Sequence, residues 1–437
     1  MARCLPTGSS YRSQVCHRNS SLPACDKYLS LDHHNRGRMS HIIALGGLVT
    51  SLLFSILCIA VGTVICVQSR PVPSNMRDQV NVPTSGGIPF LPQQPSSAIF
   101  SELPSLALNI IVMLCTESTA FVHSKALESQ LSMEGRLKLN TNLRLITAAR
   151  GKRWTNPNGT LFNMIMAILL IMSYVSSSLV FVTSGCPSNW ALYPYWCGTC
   201  LTPVPILILG IVLLLQVVIA FYCLRKAKIL NWSSSAFDTT MALLHNGQLT
   251  RTSGRCMHSV THKALYGPKA PSKSQPSAWH AHPSVNKILI VIWSTVLVCT
   301  IWGGVTIAIS TKRDSNLPME IHLIWTFLPN YDLRTSTYLV INGIADVNRV
   351  VNWFLRFIIM VVIQGSLTMG LHCSELIVDI IRDEMAWRRA TEKTGAMLSN
   401  NPLSAVCKSW PNLGLLVAKP VLRKFYLSRY CMIAEDN

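Results

Sequence analysis

Two stretches of the chain place ionisable side chains where they could do chemistry. Glu117 is the one acid in PSLALNIIVMLCTESTAFV, residues 104–122. A carboxylate inside an apolar span costs a few kcal/mol unless it is paired or hydrated, roughly 2.5–3.5 on insertion scales. It is therefore a candidate to bind a proton or cation, or to pair with a basic group at a helix end. The second stretch is GLHCSELIVDIIRDEMAWRRA, residues 370–390. There His372, Glu375, Asp379 and Arg382 or Asp383 recur at spacings of three and four, which puts them on one helical face. A histidine and two carboxylates could hold a metal or relay protons. A helix emerging from lipid into water, stitched by i,i+3 and i,i+4 pairs, uses the same pattern, and we read the segment that way. Arg356 lies near the outer end of the last apolar run and can snorkel.

Other clusters carry less. Cys256, His258, His262, His280 and His282 share a basic segment, but the intervening KALYGPKAPSKSQPSAW is rich in Pro, Ser and Lys. Their spacing fits no zinc pattern. The sequence contains no phosphate-binding Gly-x4-Gly-Lys-Ser/Thr loop, no Gly-x-Ser-x-Gly elbow and no His-Glu-x-x-His helix. No catalytic residue, metal site or cofactor is assigned, and no enzymatic activity is expected.

The elements that must position these groups are apolar runs. Of the 437 residues, 49% are hydrophobic and only 13% charged, about half the charge of an ordinary soluble domain. Runs long enough to cross a bilayer cover residues 42–67, 104–122, 161–183, 203–223, 285–310 and 350–373. Small-residue spacings within them, Gly47, Ser51 and Ser55, and Gly304 and Ala308, read as helix-packing contacts. The spans otherwise look almost free of buried polar residues.

The charge pattern orients them. Of 38 Lys and Arg, 30 fall in the N-terminal tail 1–41, the loops 123–160 and 224–284, and the tail 374–437. Loops 68–103, 184–202 and 311–349 carry six, and the loop 184–202 has none. By the positive-inside rule this predicts an all-α, multi-pass bundle of six spans with both termini cytoplasmic. Omitting the Glu117 span would destroy the alternation.

The net charge of +19 then belongs to a surface facing anionic lipid head groups. No nucleic-acid recognition motif is present. The expected partner is the lipid bilayer, in the plasma membrane or an endomembrane.

Segments outside the spans read simply. Residues 68–103 hold six prolines among Ser, Gln and Asn and predict an extended loop. Loop 184–202, SGCPSNWALYPYWCGTCLT, has four aromatics that suit an interface. It would face the oxidising side, which predicts a disulfide between Cys186 and either Cys197 or Cys200. The sequons at Asn19, Asn158 and Asn231 fall on the cytoplasmic side and are expected to carry no glycan.

Two segments carry a resemblance. Residues 134–181, EGRLKLNTNLRLITAARGKRWTNPNGTLFNMIMAILLIMSYVSSSLVF, and 370–390, GLHCSELIVDIIRDEMAWRRA, resemble a group of uncharacterised polytopic membrane proteins of filamentous ascomycete fungi. Upstream of Glu134, SKALESQLSM lacks the Trp-containing stretch of that group. The resemblance implies a fungal membrane protein and carries over no functional residue. The expected function is that of a structural, scaffold or sensing membrane protein. The alternative is a channel or small-solute transporter using Glu117, His372 and Glu375.

Overall fold

A computed structural model describes residues 23–68, 88–92, 98–134, 136, 147–150, 155–184, 198–229, 231–233, 235–245, 283–313, 349–391 and 410–430. Eight helices are seen among them: α1 (Pro23–Gln68), α2 (Ala98–Met133), α3 (Thr160–Leu179), α4 (Pro203–Lys226), α5 (Ala236–His245), α6 (Pro283–Arg313), α7 (Arg349–Thr391) and α8 (Trp410–Tyr430). Three short strands join them: β1 (Ile88–Pro92), β2 (Phe181–Ser184) and β3 (Gly198–Leu201).

Five stretches are long and apolar enough to cross a membrane: Arg38–Gln68, Leu103–Met133, Thr160–Leu179, Pro203–Lys226 and Met360–Arg389. The sixth expected span forms helix α6, of which Val285–Val298 counts as a shorter apolar segment among the described residues. Large apolar side chains face outward, Leu53, Val362 and Trp293 among them. In water such a surface would drive aggregation; against acyl chains it is the ordinary exterior.

Helices α1–α4 pack on one another, with the α1–α4 contact the most extensive. Cys58 and Ile65 of α1, Val112 and Cys115 of α2, Leu170 and Tyr174 of α3, and Leu209 and Leu213 of α4 form one core. Glycine makes the close approach possible. A Cβ on Gly210 would stand 2.7 Å from Ile59 Cγ1 and 2.9 Å from the Ser55 carbonyl oxygen. Across the α1–α2 seam, Gly47 lies against Ser118, and the Ser51 hydroxyl donates to the Cys115 carbonyl at 3.3 Å. The expected packing role of Gly47, Ser51 and Ser55 is therefore realised. Gly304 has no described neighbour within 4 Å of where its Cβ would be. Helix α7 packs on α3, α6 packs on α7 through Ile288, Cys373 and Leu376, and α8 lies against both α2 and α7.

Three strands of four or five residues accompany the expected α-helical bundle. They form a small antiparallel sheet in the order β1-β3-β2, outside the helical bundle. β1 is an edge strand with a register shift between Pro89 and Leu91, which is where proline, lacking an N–H, is tolerated. The sheet gathers the α1–α2 and α3–α4 connections at one end of the bundle. The α2–α3 and α4–α5 connections lie at the opposite end. There the Tyr222 hydroxyl donates to the Thr155 carbonyl at 2.8 Å, and Ser129 to the Lys228 carbonyl at 2.6 Å. His41 stacks on Trp232 and Phe237 on Trp387, with ring centroids 4.5 and 4.2 Å apart.

Candidate functional site

The ionisable residues singled out by the sequence converge on a residue that it did not single out. The Lys419 ammonium of α8 donates to Glu117 Oε1 of α2 at 2.7 Å and also to the Glu375 carboxylate of α7. On the other side of that carboxylate, His372 Nδ1 lies 3.2 Å from Glu375 Oε2. One cation thus ties together three helices whose partners are 302 and 44 residues away in sequence. The Lys419 side chain is only 6% exposed, whereas Glu117 and Glu375 keep 35% and 29% of theirs.

Burial alone would push the Lys419 ammonium toward the neutral amine. The charges of Glu117 and Glu375, and the hydrogen bonds they accept, outweigh this and hold its pKa above the ordinary lysine value. With His372 neutral the group carries one net negative charge, and with His372 protonated it carries none. The carboxylates that could have taken a cation from outside already hold an internal one.

Asp379 does not join. It pairs with Arg382 at 3.0 Å, and Arg382 also reaches Asp383 at 3.8 Å. With Glu384–Arg388 at 2.5 Å, these are the i,i+3 and i,i+4 stitches of a helix running on beyond the apolar segment. His372, Glu375 and Asp379 do share a helix, but only the first two meet Lys419.

A second ion pair lies on α2. Lys125 donates to Glu128 at 2.8 Å and to the Ser233 carbonyl at 3.0 Å, and both side chains are buried. Lys125 falls in the basic stretch expected as the loop 123–160, but α2 runs on past residue 122 and takes it into the packed end of the bundle. Glu134 accepts the backbone N–H of Arg150 at 2.9 Å and pairs with Arg136, which donates to the Ala148 carbonyl. It closes a turn at the end of α2 and stands apart from the Lys419 group.

The spans are also more polar inside than their sequences suggest. Thr116 and the Tyr174 hydroxyl hydrogen-bond at 2.7 Å, Ser177 donates to Asn109 at 3.0 Å, and Thr119 approaches Gln216 Oε1 at 3.4 Å. Thr116, Thr119, His123, Asn163 and Gln216 line a cavity of about 10 Å³, the scale of one water centre. Gln216 Nε2 and Asn163 Oδ1 find no hydrogen-bond partner among the described residues.

Asn158 of the second sequon is fully buried and donates to Gln130 at 2.9 Å, so the folded chain offers no acceptor there. Cys186, Cys197, the Cys256–His282 cluster and Asn19 lie outside the described residues. So do the side chains of Cys200 and Arg356. The described thiols Cys58, Cys66, Cys115, Cys223 and Cys373 are free.

No family model, no curated protein and no solved structure matches this chain.

Proposed function

We propose that this protein is a six-span membrane protein with both termini cytoplasmic, and that its role is structural or sensing rather than catalytic. The observation that carries this reading is the Lys419 bridge between Glu117 and Glu375. The intramembrane carboxylates a transporter would expose to its substrate are here bridged by the ammonium of a C-terminal helix, which they hold against the bundle. Such a contact is a latch: it couples the position of α8 to the arrangement of α2 and α7.

The topology draws support from the two bundle ends. The basic segments meet at one end through His41–Trp232, Tyr222–Thr155 and Phe237–Trp387. Two of the three charge-poor connections, 68–103 and 184–202, meet at the other through the sheet. That separation is what alternating spans and the positive-inside rule require together. The sequence resemblance agrees with a fungal membrane protein of this kind.

The small polar cavity between α2, α3 and α4 favours a second reading, transport of a proton or small solute past Gln216 and His123. One experiment separates the two. Protein reconstituted in vesicles is assayed for proton and monovalent-cation flux, and α8 is probed by limited proteolysis. The latch reading expects no flux above empty vesicles and earlier cleavage around α8 in Lys419→Met. Flux that disappears in Gln216→Leu would establish transport instead.

A further inference from the structure

Helix α8 presents its polar contact inward and its apolar residues outward, the reverse of a helix lying on a water-facing surface. We propose that α8 is embedded in the cytoplasmic leaflet as an interfacial helix, with its outward face against acyl chains and its last turns against anionic phospholipid head groups. This rests on the membrane reading above and deepens it by naming the partner of the C-terminal segment.

The geometry supplies the first argument. At about 100° per residue, Trp410, Val417 and Val421 fall within roughly 40° of one another, and Lys419 lies on the opposite side. Trp410 is 83% exposed, Val417 57% and Val421 42%. Their buried counterpart, Lys419, is held by two carboxylates, so α8 cannot roll to hide the apolar stripe without breaking both pairs.

The second argument is continuity. α8 packs against α2 and α7, which carry two of the five candidate spans. The same two helices expose Ile111, Leu114 and Val362. The apolar stripe therefore belongs to a helix packed on two helices that themselves expose apolar surface. From Trp410 to Leu422 the apolar part is too short to span, since a crossing needs about 20 residues, but it has the length and Trp content of a helix in the interface.

The third argument is charge. Arg423, Lys424 and Arg429 occupy the remaining turns of α8. Three cations in the sequence that follows Leu422 suit phosphate and serine head groups on the anionic leaflet.

The test uses the full chain in vesicles whose lipids carry an alkyne-tagged, clickable acyl chain. A photo-reactive benzophenone side chain replaces Val417 in one protein. In a second it replaces Leu215, an outward residue of span α4. The vesicles are phosphatidylcholine with or without phosphatidylserine. The expected result is lipid adducts at both positions, with the yield at Val417 rising at least about twofold when phosphatidylserine is present and that at Leu215 unchanged. Lipid adducts at Leu215 but none at Val417 would overturn the inference alone, as would a covalent dimer at Val417, which would mean that a second copy covers the stripe. A yield at Val417 indifferent to phosphatidylserine would overturn the head-group contact. Absence of adducts at both positions would overturn the membrane reading with it.

Discussion

The two parts of the molecule are held together by different physics. Between the helices α1–α4 the contacts are neutral: a shared apolar core, glycine-mediated approaches, and hydroxyl and amide hydrogen bonds. Between α2, α7 and α8 the decisive contact is ionic, one ammonium between two carboxylates. Tight neutral packing has no half-way state, because a displaced helix loses dispersion contacts at once. An ion pair at the edge of lipid can be weakened by protonation, salt or a competing charge. The first four helices share a neutral core and form the frame, whereas the C-terminal helix is tied to it through ions.

The sharpest way to break the comparison is to attack the frame. Gly210→Val drives a side chain into Ile59 and the Ser55 carbonyl and should cost about 3 kcal/mol, the upper range for overpacking. Thermal unfolding in nanodiscs should show it as a large loss for the whole bundle. If the variant melts like wild type, the close α1–α4 approach is wrong.

Lys419→Met attacks the latch. It leaves two carboxylates facing each other, and since each keeps roughly a third of its exposure the cost should be about 2 kcal/mol, below the 3–5 of a fully buried pair. Early proteolysis near α8, with the frame still folded, is the expected signature; global unfolding would erase the distinction between the two regions.

Smaller effects sharpen the picture. Tyr174→Phe removes the hydrogen bond to Thr116 and should cost about 1 kcal/mol in the same melts. Gly304→Ala meets open space and should be neutral or stabilise α6 by up to about 1 kcal/mol through helix propensity.

The pH response has a definite sign. A lysine whose folded pKa is raised stabilises fully below its unfolded value, and that contribution is lost only as pH rises through the folded one. Protease resistance of α8 attributable to the Lys419 charge should therefore stay flat from about pH 6 to 9. A fall inside that window would place its control on His372 or a carboxylate instead.

How much of this the sequence carries differs by residue. The apolar runs announce the bundle because hydrophobicity over 20 residues is unambiguous, and the Asp379–Arg382 pairing follows from i,i+3 spacing. Glu117 and Glu375 are visible as misplaced acids, yet their shared partner is not. Lys419 sits in GLLVAKPVL, a run too short to stand out as a span and far from both acids in the chain. The strands hide for a related reason: four or five residues, two of them proline in β1, give no alternating pattern. Gln216 is a single polar letter in an apolar run, and only the fold reveals Thr119 across from it.

The central claim, that Lys419 and Glu117 hold α8 on the bundle as a pair, is tested most directly by a double-mutant cycle on proteolytic opening of α8. The four proteins are wild type, Glu117→Gln, Lys419→Met and the double variant, each reconstituted in nanodiscs. We expect the double variant to open less readily than the sum of the singles requires, with a coupling of about 1–2 kcal/mol. Strict additivity would contradict the account.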